Sequence, residues 1–458
     1  MSAKRICPDI YHPAVARDGL LTRLRIPGGI LNQAQCQAIV SFLESTGIND
    51  LQVTNRANLQ IRGLSKDIEP LILQSLITAG LVAANQAVDG IRNIMASPIA
   101  GIDRTEVIDV RPFVVAWDRY LSLHPELGVL SNKFSVGFDG GGSVSIVDRP
   151  NDLTLLAVSE NEFLLHLPMG GRIKLRVDDC ISVLGMIAGA YLAAVGENKL
   201  RLREVMAVVE GDLLRWGVCL QRRTEGSPKG TQETVYRHLG VSAQKQAGLS
   251  YLGVVLPLGR LNLWQLSGLS KIASQYGGGT IRLTPWQNMI VPDVRDQDVI
   301  IVQQLIEALG LAVGAHQING LLTACAGVSG CQFAATDTQA DALAISAYLA
   351  SRFDLDMPLN IHLSGCDKSC AQHYQADIAL WGCEKSPERS AGYRLCIGGG
   401  DERFGRELSN YLRLDHVSGS IEHLIHFYHK QRASPTESFR TFTARQSLAQ
   451  LQQVLHVI

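Results

Sequence analysis

Displaced by 230 residues and laid over itself, the chain matches its own sequence. Leu51-Gln-Val-Thr54-Asn-Arg-Ala-Asn58-Leu-Gln-Ile61 falls on Ile281-Arg-Leu-Thr284-Pro-Trp-Gln-Asn288-Met-Ile-Val291, with Thr on Thr and Asn on Asn. Upstream, Arg25-Ile-Pro27-Gly-Gly29-Ile-Leu31-Asn32 falls on Val255-Leu-Pro257-Leu-Gly259-Arg-Leu261-Asn262. In both copies an apolar run meets a Pro/Gly turn, an amphipathic helix of about 15 residues begins at Asn, a good N-cap, and a Thr-x-x-x-Asn strand follows. Chance matching of a few small residues is the competing explanation. A single displacement that carries the same predicted elements favours duplication, and a duplicated chain must build one supersecondary unit twice.

The 458 residues allow two to four domains at ~100–200 residues each. The repeat resolves that range into two copies of a small strand-helix-strand module followed by a larger mixed module, an α+β class with mixed sheets. Residues 222–246, polar and Gly-containing, are the expected linker. In the first larger module, Phe134–Phe138 and Ser143–Val147 flank Asp139-Gly-Gly-Gly142, which predicts a hairpin. Lys and Arg number 42 against 43 Asp and Glu, so the whole molecule has no attraction for nucleic acid or an anionic membrane, and any anion site must be local. The N-terminus lacks the apolar stretch of a secretory signal, which makes a cytoplasmic location the expectation. The Gly/Ala-rich run from Ile181 to Gly196, 16 residues long, is shorter than the ~20 that span a bilayer and is expected to be a buried core helix.

Six of the ten cysteines lie between Cys325 and Cys396. Cys325-Ala-Gly-Val-Ser-Gly-Cys331 and Ser364-Gly-Cys366-Asp-Lys-Ser-Cys370 place two pairs on Gly-rich turns that can bring four thiolates to one soft metal centre. Structural zinc usually takes pairs separated by two to four residues and fits the five-residue gap of the first pair poorly. Four unrelated buried thiols are the third alternative. Cys7, Cys36, Cys180, Cys219, Cys383 and Cys396 are expected to be core or incidental thiols.

In Thr54-Asn-Arg56-Ala-Asn58-Leu-Gln60-Ile-Arg62, every second residue is polar. If the whole segment is one strand, those side chains share a face while Leu59 and Ile61 take the other. The face is either solvated or a rack for several carboxylates, each able to accept paired bonds from Arg.

Ser364-Gly-Cys366-x-x-x-Cys370, six residues, then Asp377-Ile-Ala-Leu380, with the Cys-x5-Cys pair upstream, resembles the signature of the sirohaem-dependent nitrite and sulfite reductase superfamily. The resemblance covers residues 7–442 and implies a pseudo-two-fold duplicated fold, each half a small ferredoxin-like module plus a larger mixed α/β module. The implied boundaries are 1–90, 91–222, a linker at 223–247, 248–316, and 317–458. It implies that Cys325, Cys331, Cys366 and Cys370 bind a [4Fe-4S] cluster, the last thiolate bridging to sirohaem iron. Arg56, Asn58, Gln60 and Arg62 match the segment that holds the acidic side chains of the macrocycle. Arg23, Arg92 and Lys133 match the family's basic active-site elements, with Arg25 a neighbour. Under the displacement of 230, Met95 falls on Cys325, Gly101 on Cys331 and Lys133 on Leu363. The first half is then expected to face the cluster with cations across a shared pocket.

Departures from the reductase pattern narrow the resemblance. Two residues after Lys133 stands Ser135, where sulfite reductases resemble one another in a second Lys and nitrite reductases in Asn. Asp367-Lys368 stands where reductases usually carry Pro-Asn. These features, with Cys7-Pro8 and then Asp18-Gly-Leu-Leu, are similar to precorrin-3B synthases. That resemblance implies a monooxygenase of cobalamin biosynthesis that hydroxylates precorrin-3A with O2 and forms a lactone, the tetrapyrrole being substrate. The cluster would relay electrons to a mononuclear non-haem iron whose ligands the sequence does not mark. The alternatives are a ferredoxin-dependent sirohaem reductase of nitrite or sulfite and a non-catalytic tetrapyrrole-binding iron-sulfur protein. No Gly-x-Gly-x-x-Gly fingerprint follows a strand, and Gly398-Gly-Gly400 reads as a turn, so the electron donor is expected to be external, a ferredoxin or a nicotinamide-dependent reductase.

Overall fold

The computed structural model describes residues 7–65, 68–196, 200–222, 236–314, 320–353, 355–387, 389–399 and 404–455. The chain forms two compact units. The first is Met1–Val15, Leu20–Val254 and Leu261–Val313; the second is Ala16–Gly19, Val255–Arg260 and Gly314–Ile458. Both small modules and the first larger module thus belong to the first unit. Most of the expected linker lies outside the described residues, but its end is not linker: Gly240–Ala243 is a strand paired with Leu249–Val255.

The repeat is visible atom by atom in the small modules. Asn32 caps helix Gln33–Thr46 and Asn262 caps Leu263–Tyr276, each in a capping box with Gln35 or Gln265. Gln35 Nε2 donates to Ala79 O at 3.2 Å, and Gln265 Nε2 to Leu309 O at 3.1 Å. The modules also exchange edges. Strand Ile30–Asn32 pairs antiparallel with Thr280–Leu283 of the second module's sheet, Leu31 opposite Ile281. Strand Arg260–Asn262, whose last two residues belong to this unit, joins the sheet of the first module beside Asp50–Val53. Each sheet therefore ends on a strand from the other copy, which removes two edges that would otherwise expose unpaired backbone. Gly29, at φ +73°, lies so close to this seam that a Cβ there would stand 2.8 Å from Leu283 O.

The segment 54–62 is not one strand. Asp50–Val53 and Leu59–Leu64 are strands, and residues 54–58 form the turn between them. Thr54 N–H donates to Asn58 O at 2.8 Å, Thr54 Oγ1 accepts Arg56 and Asn58 N–H, and Ala57 takes φ 53°. The second copy repeats this with Thr284, Gln287 at φ 61° and Asn288. The Thr hydroxyl competes for the backbone donors that a strand would use. Alternation survives only from residue 59, where Leu59 and Ile61 are buried and Gln60 and Arg62 are half-buried.

In the first larger module, strands Asn93–Ala96, Ser135–Asp139 and Leu153–Ser159 run parallel, followed by antiparallel Glu162–His166 and Gly171–Arg176. The hairpin expected over 134–147 does not form. Asp139 is buried, and its carboxylate takes the Gly141 and Ile146 N–H groups and the Ser145 hydroxyl, while Asp103 takes Ser143. Side-chain carboxylates thus replace a strand partner for 141–146. Cys180–Val195 is one helix, with Leu184, Ile187, Ala188, Tyr191 and Val195 in the module's core, as its Gly/Ala-rich sequence predicts. The Val177–Val195 stretch is long and apolar enough to cross a membrane by length and composition alone.

The second unit carries a five-stranded sheet. Leu322–Ala324, Ile361–Ser364 and Ile378–Cys383 run parallel, and Gly392–Ile397 and Arg406–Arg413 add antiparallel. Helices Thr338–Ala350 and Leu414–Gln431 pack beside it. Strand pairing shows that the repeat does not keep its displacement: Ile94 aligns with Leu322 and Val136 with Ile361, displacements of 228 and 225. Cys325 therefore corresponds to Ser97 rather than Met95, and Lys133 to Pro358 rather than Leu363. Arg92 and Lys133 precede their parallel strands, whereas the cysteine loops leave the C-terminal ends of theirs. Unequal loop lengths between aligned strands move the register.

Candidate cluster loops and cation site

All four motif cysteines lie in the second unit. The loops that carry them leave adjacent parallel strands at their C-terminal ends, a usual place for sites in parallel sheets. Cys325 N–H donates to Leu363 O at 3.1 Å, continuing the ladder for one more residue. Gly365 N–H then donates to Cys325 Sγ at 3.2 Å, and Thr338 Oγ1 lies 3.4 Å from the same sulfur. The Gly365 donor stabilises thiolate charge and is among the features that set cluster potentials. Gly365 allows the approach because a Cβ there would stand 2.6 Å from Ala334 Cβ. In the other loop, Ser364 Oγ donates to Cys366 O at 2.7 Å, and buried Ser369 takes φ 52° ahead of exposed Cys370. Among the described residues no three His, Cys, Asp or Glu side chains are gathered closely enough for a single metal ion. A four-iron cluster makes a different demand, one thiolate at each of four irons, and the sulfur-directed N–H with its two-loop, four-thiol donor set fits that group. Of the remaining cysteines, Cys36, Cys180 and Cys396 are buried, and burial pushes the thiols of Cys36 and Cys180 up to about 11.

The expected cations lie in the first unit, in several separate polar groups. Arg23 Nε and Nη2 donate to Gln60 Oε1 at 3.1 and 3.0 Å, and Gln60 Nε2 donates to Gln52 Oε1 at 3.2 Å, a polar ladder across three neighbouring strands. Arg62 follows two residues beyond Gln60, half-buried. Asn58 is buried and structural: its Oδ1 accepts Ile26 N–H at 2.8 Å and fixes the turn to the neighbouring segment. Arg56 is half-buried, but its Nη1 is enclosed and unpartnered, and desolvation pulls its guanidinium down to about 10, opposed by the Asp152 carboxylate. Arg25, at 2% exposure, also has Nη1 unpartnered while Nε donates to Asn93 Oδ1 at 3.2 Å. Burial lowers the Arg25 pKa, and Asp89 and Asp9 raise it. Buried guanidinium nitrogens without acceptors are what a site for carboxylate or another anion supplies. The donor set of this unit therefore fits the acidic periphery of a tetrapyrrole.

Arg92 is held differently. Its Nε and Nη2 meet both Asp118 oxygens at 2.7 and 2.8 Å, with Asp89 Oδ1 3.9 Å from Nη1. Burial works against the charged form, but the Asp118 bonds outweigh it and its pKa is raised. Lys133 is exposed, its N–H bonded to Ser131 Oγ. Ser135 is buried, donating from N and Oγ to Asp152 Oδ2 at 3.2 and 3.4 Å, and Arg201 Nη2 holds the other Asp152 oxygen at 2.8 Å.

Nothing in the sequence marks Asp118, Asp152, Arg201 or Asn93. Single polar residues of this kind carry no spacing signal, and only their contacts reveal them. Arg25 stands in the sequence only as a neighbour of Arg23.

Duplicated small modules and a two-loop cysteine centre define an iron-sulfur redox protein of the duplicated kind. Residues 13–77 and 242–309 match the nitrite/sulfite reductase ferredoxin-like half domain, and residues 87–226 and 320–455 match the nitrite and sulphite reductase 4Fe-4S domain. The chain belongs to the nitrite/sulfite reductase family, and it is an oxidoreductase. It is 30% identical over 420 residues to a ferredoxin–nitrite reductase of Synechococcus elongatus, covering 85% of this chain and 82% of that one. A chloroplastic ferredoxin–nitrite reductase of Zea mays is 29% identical over 396 residues, covering 79% and 69%. A ferredoxin sulfite reductase of Mycolicibacterium paratuberculosis is 26% identical over 454 residues, covering 90% and 80%. The fold is similar to that of the NirA protein of Mycobacterium tuberculosis, with a TM-score of 0.79, 21% identity, and coverage of 94% of this chain and 84% of that one.

Proposed function

We propose that the chain is a cytoplasmic precorrin-3B synthase-like monooxygenase of cobalamin biosynthesis, acting on a tetrapyrrole substrate with O2 and external electrons. The observation that carries the proposal is the environment of Ser135. Where reductases of the superfamily resemble one another in placing a Lys or an Asn, this chain has a buried hydroxyl bound to the Asp152 carboxylate. With Asp152 already paired to Arg201, position 135 offers a bare oxyanion such as nitrite or sulfite neither a cation nor an amide. The charge of Arg92 is likewise taken up by Asp118 and Asp89. Arg56, Gln60 and Arg62 are the groups that would hold the carboxylates of a macrocycle, while Asn58 shapes the turn that presents Arg56 and Arg23 is bonded to Gln60. Lys133, with Arg23, Arg92 and the neighbouring Arg25, would lie nearer the reacting part of the substrate. When bound to Cys325, Cys331, Cys366 and Cys370, a [4Fe-4S] cluster supplies single electrons. A mononuclear iron belongs to the same proposal, although among the described residues no three His, Cys, Asp or Glu side chains stand ready to ligate one.

The second reading is a sirohaem-containing ferredoxin reductase of nitrite or sulfite, which the names of the relatives favour. The same arginines would then hold a prosthetic group, with ferredoxin as donor. Anaerobic purification and an absorption spectrum separate the two. Stoichiometric sirohaem with nitrite or sulfite turnover would sink the synthase proposal. A cluster-only spectrum with O2-dependent conversion of precorrin-3A supports it.

A further inference from the structure

We infer that Asn93 is a positioning residue that couples the turn bearing Arg56 to the segments bearing Arg25 and Lys133. Asn93 opens a strand of the first larger module and is 8% exposed. Its Nδ2 donates to Asn132 O at 3.0 Å and Phe134 O at 3.2 Å, the carbonyls on either side of Lys133, and to Gly90 O at 3.3 Å. Its Oδ1 accepts Arg25 Nε at 3.2 Å and lies 3.5 Å from Asn58 Nδ2. Three carbonyls on one side and two donors on the other fix the orientation of the amide. No other side chain of that size offers both a double donor and an acceptor. An Asp would meet carbonyls with a carboxylate, and a Leu would satisfy neither side.

The second copy of the repeat argues that the strand does not need this amide in order to fold. With Ile94 aligned on Leu322, the counterpart of Asn93 is Leu321, an apolar residue 2% exposed. The same strand start is thus built once with a buried amide and once with a buried aliphatic group. The amide stands in the copy that carries the cations. Asn93 holds the backbone around Lys133 and the Arg25 side chain to the same point as the Asn58 turn, so a shift of any one is felt by the others. In a packed site, a displacement of about 1 Å costs ~10²-fold in rate.

The inference rests on the roles proposed for Arg25, Arg92 and Lys133, and the test separates the two. In the cluster-loaded protein, Asn93→Asp keeps an acceptor for Arg25 and loses the donors to Asn132 and Phe134, and Asn93→Leu copies Leu321. Rates are taken with precorrin-3A and O2 and with nitrite and reduced ferredoxin, and amide hydrogen exchange is followed across 131–135. Both variants are expected to retain the cluster absorbance, lose about 10²-fold in kcat with KM changed less than about threefold, and exchange at least tenfold faster at 131–135. Wild-type exchange together with kcat within twofold in both variants overturns the inference. So does a loss that appears wholly in KM or wholly tracks a fall in melting temperature. If Arg92→Ala and Lys133→Ala keep full rates, the proposed roles of those cations fail whatever Asn93 does. If they lose rate while the Asn93 variants do not, the positioning role alone fails.

Discussion

Replacing Asp118 with Asn tests how the buried Arg92 charge is supported. Arg92 is 7% exposed and meets both Asp118 oxygens, and Asp118 is 23% exposed. Breaking a fully buried pair by removing one partner costs ~3–5 kcal/mol, because the other charge is left unpaired. Two features reduce that here. Asp118 is partly hydrated, and Asp89 at 3.9 Å remains as a weaker partner. A cost of about 2–3 kcal/mol follows, and at ~2–4 °C per kcal/mol for a unit of this size the expected fall in melting temperature is ~4–12 °C. Calorimetry or near-ultraviolet circular dichroism reads it. Arg92→Leu with Asp118→Leu should melt above either single variant, since two apolar side chains leave no buried charge. A melting temperature within 1 °C of wild type for Asp118→Asn, or a double variant less stable than both singles, would refute the claim that this carboxylate supports the charge.

Cys366→Ser or Cys370→Ser should abolish the brown chromophore and destabilise the second unit, and a fully loaded variant would refute the ligand assignment. Gly365→Ala should lower cluster content and cost ~1–3 kcal/mol through overpacking against Ala334, checked by iron content and thermal melting; wild-type loading and melting would remove the close-approach argument. Arg56→Ala should leave the cluster intact and weaken tetrapyrrole binding at least tenfold by spectral titration. In the wild type, desolvation lowers the Arg56 guanidinium only to about 10, so its carboxylate-holding charge is complete across pH 7 to 9 and affinity should be flat over that range. His362, buried and pulled down to about 3, stays neutral while its unfolded form takes a proton below about 6.5, so the second unit should lose ~1.4 kcal/mol between pH 7.5 and 5.5. His362→Leu should flatten that window, and an unchanged slope would contradict it.

The residue-54 segment shows where sequence patterning stops. Polar residues at every second position from Thr54 to Arg62 look like one strand face, and for Gln60 and Arg62 they are. The Thr54 hydroxyl takes two backbone N–H groups and turns the chain, a choice that side-chain periodicity does not encode. The hairpin expected over 134–147 failed for a related reason. Its second arm is bound by the carboxylates of Asp103 and Asp139, one of them far upstream in sequence.

The duplication, the α+β class, the Asn-capped helices and the two cysteine loops were all legible in the chain. Each rests on interactions between residues close in sequence or on a motif whose chemistry needs a fixed spacing. Tertiary structure alone decided that each small sheet borrows a strand from the other copy and that the displacement slips from 230 to 228 and 225 across the larger modules. It alone gave these polar side chains their partners: Arg92 with Asp118, Ser135 with Asp152, Arg25 with Asn93. Those partners stand 26, 17 and 68 residues away along the chain. A buried charge or hydroxyl takes the nearest group in space, and neither composition nor period records which one that is.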